Sequence, residues 1–250
     1  MDAVLLFSGQ GAQKVGMGKD LYDQYPVAKA LIEQADKALG ESLSAVMFEG
    51  PGEELTRTCN CQPALYVHGL ACLAVLKELV PTLNPVAAAG LSLGEFTAHA
   101  AAGTYSFEEG LRLVQKRGAF MEEACNATKG TMAAMIGGTD ENVIKLAQEC
   151  DVDVANFNCP GQTVVSGTEE GVAKAVAGAK AAGCKIAKKL NVAGAYHSRL
   201  MHSAMVKLAE ELKNISFGTP SMPVYCNYEA RVVDCLLYTS DAADEARSVD

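Results

Sequence analysis

The chain has no tryptophan, only four histidines among 250 residues, no low-complexity tract and no repeat period. It also has no C-x-x-C: its nine cysteines are scattered, and the closest pair, Cys59-Asn60-Cys61, has no histidine cluster beside it. Such spacing offers neither a zinc site nor a disulfide framework, so buried thiols in a reducing cytoplasm are expected, and no metal. Positive charge is scarce, with 21 Lys and Arg against 30 Asp and Glu, for a formal charge of −9. That sign argues against nucleic acid and anionic membrane as partners. No apolar run approaches the roughly 20 residues of a membrane span. Met1-Asp2-Ala3-Val4-Leu5-Leu6-Phe7 lacks the basic start and long apolar stretch of a secretory signal, and reads as a first buried strand. The following Gly9-Gln10-Gly11 fails the dinucleotide fingerprint, because Lys14 stands where the third glycine belongs. What remains, 49% hydrophobic and 20% charged, is an ordinary globular composition, long enough for one domain carrying a smaller insert.

Against these absences stands one compact motif. Ser92 lies in Gly90-Leu91-Ser92-Leu93-Gly94, directly after the small apolar run Val86-Ala87-Ala88-Ala89 and before the Ala-rich stretch from Glu95 to Ala102. Gly-x-Ser-x-Gly between a strand and a helix is a nucleophile elbow, with the serine at the tip of a sharp, strained turn. A helix beginning near Gly94 aims its first amide groups at the serine, where they favour the oxyanion formed when an acyl group is attacked.

Periodicity organises the rest. Helices are predicted around Val27–Leu39, before Gly50-Pro51-Gly52, over Gln62–Val80 with Pro63 in the first turn, and over Ser106–Cys125, where Glu109 completes a capping box with Ser106. From Gly130 the texture changes to strand Thr131–Ile136, helix Glu141–Glu149, strands Val152–Phe157 and Thr163–Ser166, helix Glu169–Ala182 and strand Lys185–Val192. This β-α-β-β-α-β order is ferredoxin-like and complete in itself. It is read as an inserted subdomain over residues 128–194, within a discontinuous α/β core of 1–127 and 195–234 that resumes with a helix from Arg199 to Asn214.

A serine nucleophile needs a base. His68 and His99 fall within apolar helices and read as structural, and His202 as exposed on the last helix. His197, in Ala195-Tyr196-His197-Ser198 where the subdomain ends, is on a loop at a domain junction, the usual setting for chemistry, and is taken as the base. Arg117 lies four residues after Leu113, three after Val114 and four before Met121, on the inward face of its helix. A charge there is either paired internally or a fork for a substrate carboxylate. Lys174, Lys180, Lys185, Lys188 and Lys189 form one basic cluster without acids among them, a solvated face or a dock for an acidic partner. Asp140, Asp151 and Asp153 lie between Ser92 and His197, so a Ser-Asp-His esterase order is formally available, although these acids belong to the insert.

Together with Phe7-Ser8-Gly9-Gln10-Gly11-Ala12-Gln13, Gln62-Pro63-Ala64, Asn158-Cys159-Pro160-Gly161-Gln162 and Tyr196-His197-Ser198, these residues resemble the malonyl-CoA:acyl carrier protein acyltransferase family over about residues 3–234. The resemblance implies a hydrolase-like parallel-sheet core with the ferredoxin-like insert. It implies transfer of malonyl from malonyl-CoA to the phosphopantetheine thiol of acyl carrier protein, in fatty acid biosynthesis, through an acyl-enzyme on Ser92 with His197 as base. The backbone N–H groups of Gln10 and Leu93 would form the oxyanion hole, and Arg117, Gln62, Met121 and Asn158 would contact substrate. No cofactor is implied beyond malonyl-CoA as substrate, and a cytoplasmic monomer is expected. Leu91 departs from the pattern, since many relatives carry histidine there. Residues 235–250 depart entirely: Cys235–Glu245 can be back-translated into a transposase-based sequencing adapter, so this stretch is read as a non-native tail on a truncated chain. A Ser/His esterase or thioesterase, or an inactive fragment that only binds CoA or carrier protein, are the alternatives.

Overall fold

The structure is a computed structural model in which residues 1–233 are described; the tail from 235 lies outside them. In chain order the elements are β1 (Asp2–Phe7), α1 (Lys19–Gln24), α2 (Pro26–Leu39), α3 (Leu43–Glu49), α4 (Gly52–Thr56), α5 (Thr58–Leu79), β2 (Asn84–Gly90), α6 (Leu93–Ala101) and α7 (Phe107–Ala127). They continue with β3 (Gly130–Ile136), α8 (Asp140–Glu149), β4 (Asp153–Cys159), β5 (Gln162–Thr168), α9 (Glu169–Gly178), β6 (Ile186–Lys189), α10 (His202–Leu212), β7 (Val224–Tyr225) and β8 (Val232–Val233). These fall into two compact units, Met1–Ala119 with residues 209–233, and Phe120–Leu208.

The first unit holds a sheet of order β1-β2-β7-β8, with β1, β2 and β7 parallel and β8 antiparallel to β7. Alternation along these strands sends Leu5, Ala88 and Val224 to one face, where they pack with Ala98 of α6, Ala102 just after it, Leu73 of α5 and Met222. Val4, Leu6, Val86 and Tyr225 are exposed. α5 is apolar all round because neighbours surround it: Ala71 and Val75 pack on Ala28 of α2, and its first half is almost entirely buried. It is the one helix among the described residues that is long and apolar enough to cross a membrane, a length that no apolar run in the sequence suggested, and 61% of its most apolar 18-residue stretch is buried within the protein. Its start also differs from expectation. The N–H groups of Asn60 and Cys61 turn back to the Arg57 carbonyl (3.0 and 2.8 Å), so the helix begins at Thr58 and Pro63 lies inside it. The capping box forms as expected, Ser106 N–H donating to Glu109 Oε2 (3.0 Å) and Glu109 N–H to Ser106 Oγ (3.2 Å).

His99 is fully buried in α6, with Nδ1 3.1 Å from Thr104 Oγ1 and no hydrogen bond to Nε2 among the described residues. Burial pushes its imidazole down to about 4. The unfolded chain, with an ordinary histidine, takes up a proton from about pH 6.5 downward while the folded chain resists. This contribution is therefore fully present above pH 6.5 and is lost as the pH falls towards 4. Urea unfolding at pH 7 and pH 5 is expected to show about 2 kcal/mol more acid destabilisation in the unaltered protein than in His99→Gln. Identical pH dependence in the two proteins would contradict it.

The second unit is built on a fully antiparallel sheet of order β4-β5-β3-β6. This is the ferredoxin-like arrangement, with the first and third strands central. β3 is buried on both faces, which is why Thr131–Met135 reads as a continuous run. Ala133, Met135 and Val165 meet Val143, Leu146, Val172 and Ala175 of α8 and α9. Met132, Ala134 and Val164 meet Met121, Ala124, Tyr196, Met201 and Ala204. The end of α7 and the start of α10 thus cover the second face, and the compact unit reaches from 120 to 208, beyond the 128–194 expected from the strand pattern. Two of the five clustered lysines are paired with acids outside their stretch, Lys174 with Glu170 (2.8 Å) and Lys189 with Glu169 (3.8 Å). Lys188 and Lys189 sit on the edge strand β6, where lysine discourages pairing with another sheet.

Candidate active site

β1 and β2 run side by side to the pair Phe7↔Gly90, and the chain then turns into α6 with Ser92 at the apex. Ser92 has φ 51° and ψ −107°, a left-handed conformation that a residue with a Cβ adopts only under constraint. Leu91 N–H donates to the Phe7 carbonyl (3.2 Å), Gly94 N–H to the Leu91 carbonyl (2.9 Å) and Glu95 N–H to the Ser92 carbonyl (3.0 Å). A Cβ on Gly90 would fall on the backbone of Gly94, and one on Gly94 would fall on the Phe7 carbonyl oxygen. The two glycines of the motif therefore mark where strand and helix pass in backbone contact. Leu93, the first residue of α6, is buried and its N–H makes no hydrogen bond among the described residues, leaving a donor at the helix N-terminus.

Arg117 reaches this turn from α7. It is 1% exposed, as its inward spacing predicts. Its Nη1 donates to Gln62 Oε1 (2.9 Å) and its Nη2 to Ser92 Oγ (3.1 Å). The guanidinium lies over the Phe96 ring, 5.2 Å from the centroid. Gln62, on α5, is fully buried. What lets α7 come so close is Gly118, where a Cβ would collide with the Thr58 carbonyl at the start of α5. Gln62, Arg117 and Ser92 thus form one line of hydrogen bonds that ends on the hydroxyl. Gln10 is half-buried in the loop after β1.

Sequence reasoning missed Asn227, which follows β7. Its Nδ2 donates to the Gly90 carbonyl (2.7 Å), its Oδ1 accepts the N–H of Ser92, and its own N–H donates to Glu95 Oε2 (2.9 Å). Glu95 is 3% exposed. No local pattern marks an asparagine 135 residues away in sequence from its partner.

His197, Met121 and Asn158 belong to the second unit. His197 is half-buried with φ 55°, a second strained residue. The turn it occupies is tied down on its far side: Ser198 Oγ donates to the Ala195 carbonyl (2.6 Å), and Arg199 donates through its backbone N–H to Asp153 Oδ2 (2.9 Å) and through Nη2 to Asp151 Oδ1 (2.8 Å). The two aspartates that an esterase order would recruit are thus engaged with Arg199, and Asp140 accepts the Thr163 hydroxyl (2.8 Å). Met121 packs among the apolar side chains over the sheet, and Asn158 is exposed near the end of β4. No group of three or more metal-ligating side chains occurs among the described residues.

Comparison with known proteins shows what the chain is similar to. The acyl transferase domain matches residues 4–247, past the point where the motif resemblance ends. The malonyl CoA-acyl carrier protein transacylase of Bacillus subtilis is 45% identical over 233 residues, covering 91% of this chain and 73% of the relative. The solved structure of the malonyl CoA-acyl carrier protein transacylase from Coxiella burnetii superposes with a TM-score of 0.92 at 34% identity, over 97% of this chain and 79% of that one. A type II PKS acyl-carrier protein in complex with its malonyl-transacylase gives 0.91 at 35% identity, over 98% and 82%. The chain belongs to the acyl transferase domain family, among the malonyl CoA-acyl carrier protein transacylases.

Proposed function

We propose that this protein is a cytoplasmic malonyltransferase that moves malonyl from malonyl-CoA to the phosphopantetheine thiol of acyl carrier protein. The observation that carries the reading is the buried guanidinium of Arg117 on the hydroxyl of a strained elbow serine (3.1 Å). An ordinary esterase has no use for a cation there, whereas a carboxylated acyl group does.

In this reading Ser92 Oγ attacks the thioester carbonyl of malonyl-CoA as His197 takes the hydroxyl proton. The oxyanion forms against the N–H groups of Leu93, at the N-terminus of α6, and of Gln10, in the loop after β1. The C–S bond breaks, the imidazolium returns its proton to the departing CoA thiolate, and malonyl remains on Ser92 as an oxyester. The carrier thiol then attacks that ester as its proton passes to His197, the acyl C–Oγ bond breaks, and the imidazolium returns the proton to Ser92 Oγ, leaving malonyl on the carrier as a thioester. Gln62 keeps Arg117 in plane, and Arg117 pairs with the malonyl carboxylate throughout. Met121 and Asn158 complete the substrate contacts in this reading, and no cofactor takes part.

Mass spectrometry after mixing with malonyl-CoA tests it. One malonyl group is expected on the peptide bearing Ser92, discharged on adding phosphopantetheinylated carrier protein. Ser92→Ala is expected to remove the adduct and lower turnover by about 10⁴-fold or more. Folded protein that takes up no malonyl on Ser92 would refute the assignment.

A further inference from the structure

We propose that Asn227 is a positioning residue for the nucleophile: its carboxamide braces the elbow on both sides of the strained Ser92 and so aims the hydroxyl. This rests on the reading of Ser92 as the attacking group.

A serine at φ 51° is strained, and it stays there only if the flanking chain is held. The elbow's own bonds hold the helix side. The strand side ends at Gly90, whose carbonyl receives Asn227 Nδ2 at 2.7 Å, and the N–H of Ser92 itself is taken by Oδ1 of the same carboxamide. One planar group therefore spans residues 90 to 92 with a donor at one end and an acceptor at the other. It fits in one orientation only, since reversal would set an amine against an N–H and an oxygen against a carbonyl. The brace is itself anchored. β7 pairs with β2 through Ala89↔Tyr225, which delivers residue 227 beside Gly90. The Asn227 N–H is held at 2.9 Å by Glu95, one turn into α6. By accepting the N–H of Ser92, the carboxamide leaves that of Leu93 as the next donor facing the hydroxyl. Asn227 hydrogen-bonds to the elbow backbone and to Glu95, not to Ser92 Oγ. It acts through the direction of Oγ and of one N–H.

Substitution by aspartate separates a brace of this kind from a general structural role. A protonated carboxyl in Asn227→Asp can donate to the Gly90 carbonyl and accept from Ser92 as the amide does, whereas the carboxylate turns a second acceptor on that carbonyl and repels it. Acylation of Ser92 by malonyl-CoA, followed by rapid-quench mass spectrometry from pH 8 to 5.5, is expressed as the rate in Asn227→Asp divided by the rate in the unaltered protein. This ratio cancels titrations common to both. At pH 8 the acylation rate is expected to fall by about 10- to 100-fold with KM changed less than about threefold, since misaimed groups lose rate more than binding. The ratio is then expected to rise several-fold towards pH 5.5, while Asn227→Ala stays slow at every pH. If the unaltered protein takes no malonyl on Ser92, the nucleophile assignment fails. If it does, but Asn227→Asp acylates at the normal rate or its ratio is flat with pH, the positioning role fails and the nucleophile stands. Failure of both variants to fold would also overturn it, because a local brace is not part of the core.

Discussion

Replacing Arg117 by alanine is expected to lower kcat/KM for malonyl-CoA by about 10²–10³-fold, with less than about tenfold change for acetyl-CoA, so that the preference for a carboxylated chain collapses. Each charge-assisted hydrogen bond contributes about 1.5–3 kcal/mol, and a fork supplies two to one carboxylate. The geometry makes this reach short. Nη2 already donates to Ser92 Oγ at 3.1 Å, and Gln62 holds Nη1 at 2.9 Å. Once Oγ carries an acyl group it becomes an ester oxygen, a poorer acceptor, and the same donor can turn to a carboxylate that lies two carbons from the ester carbonyl. Phe96 beneath the guanidinium restrains its plane. Arg117→Lys keeps the charge and loses the fork, so an intermediate loss is expected. Competition between the two CoA esters, with circular dichroism to verify folding, measures it. Equal losses for both substrates would make Arg117 a prop for the elbow and not a selector.

How much of this was legible beforehand follows the range of the forces involved. Arg117 on the inward face came from the spacing of Leu113, Val114 and Met121, because helical periodicity is local. The ferredoxin-like subdomain came from strand–helix alternation for the same reason. The cap of α7 is legible because Ser106 and Glu109 satisfy one another within a turn. The beginning of α5 is not legible, because proline usually sits in a first turn, whereas here the close approach of Gly118 to Thr58 buries an earlier turn and the helix continues through Pro63. Asn227 was not legible at all. Its place depends on a ladder of two residues between β7 and β2, and nothing in Cys226-Asn227-Tyr228 announces that pairing. Asp151 and Asp153 show the converse limit of chain order. Their order along the chain allowed a catalytic triad, but side-chain pairing in space assigns them to Arg199.

Gly90→Ala is expected to destabilise the first unit most severely of any single methyl group added at the site. The new Cβ would meet the carbonyl carbon and oxygen of Gly94, which are backbone atoms of a helix start and not the end of a flexible side chain. Relief requires moving α6 away from β1 and β2. That opens the cluster in which Ala98 of α6 and Ala102 just after it pack with Leu5 and Ala88, so a steric clash is exchanged for lost burial. Overpacking of a dense core ordinarily costs about 1–3 kcal/mol, and a clash between two backbones belongs at or above the top of that range. For a chain of this size about 3 kcal/mol corresponds to a fall in Tm of roughly 10 °C, a large part of a total stability of about 5–15 kcal/mol. Because the same movement relaxes the strained turn, acylation of Ser92 is expected to fall by about 10³-fold in whatever protein folds. Gly218→Ala is the matched control: its Cβ would come to 3.4 Å from the Gly103 carbonyl, an ordinary contact, so Tm and acylation are expected to stay within about 3 °C and twofold. Thermal unfolding and the Ser92 adduct read both variants side by side. A Gly90→Ala protein as stable and as reactive as the control would mean that strand and helix do not cross in contact at the elbow, and the constraint that holds Ser92 at positive φ would have to lie elsewhere.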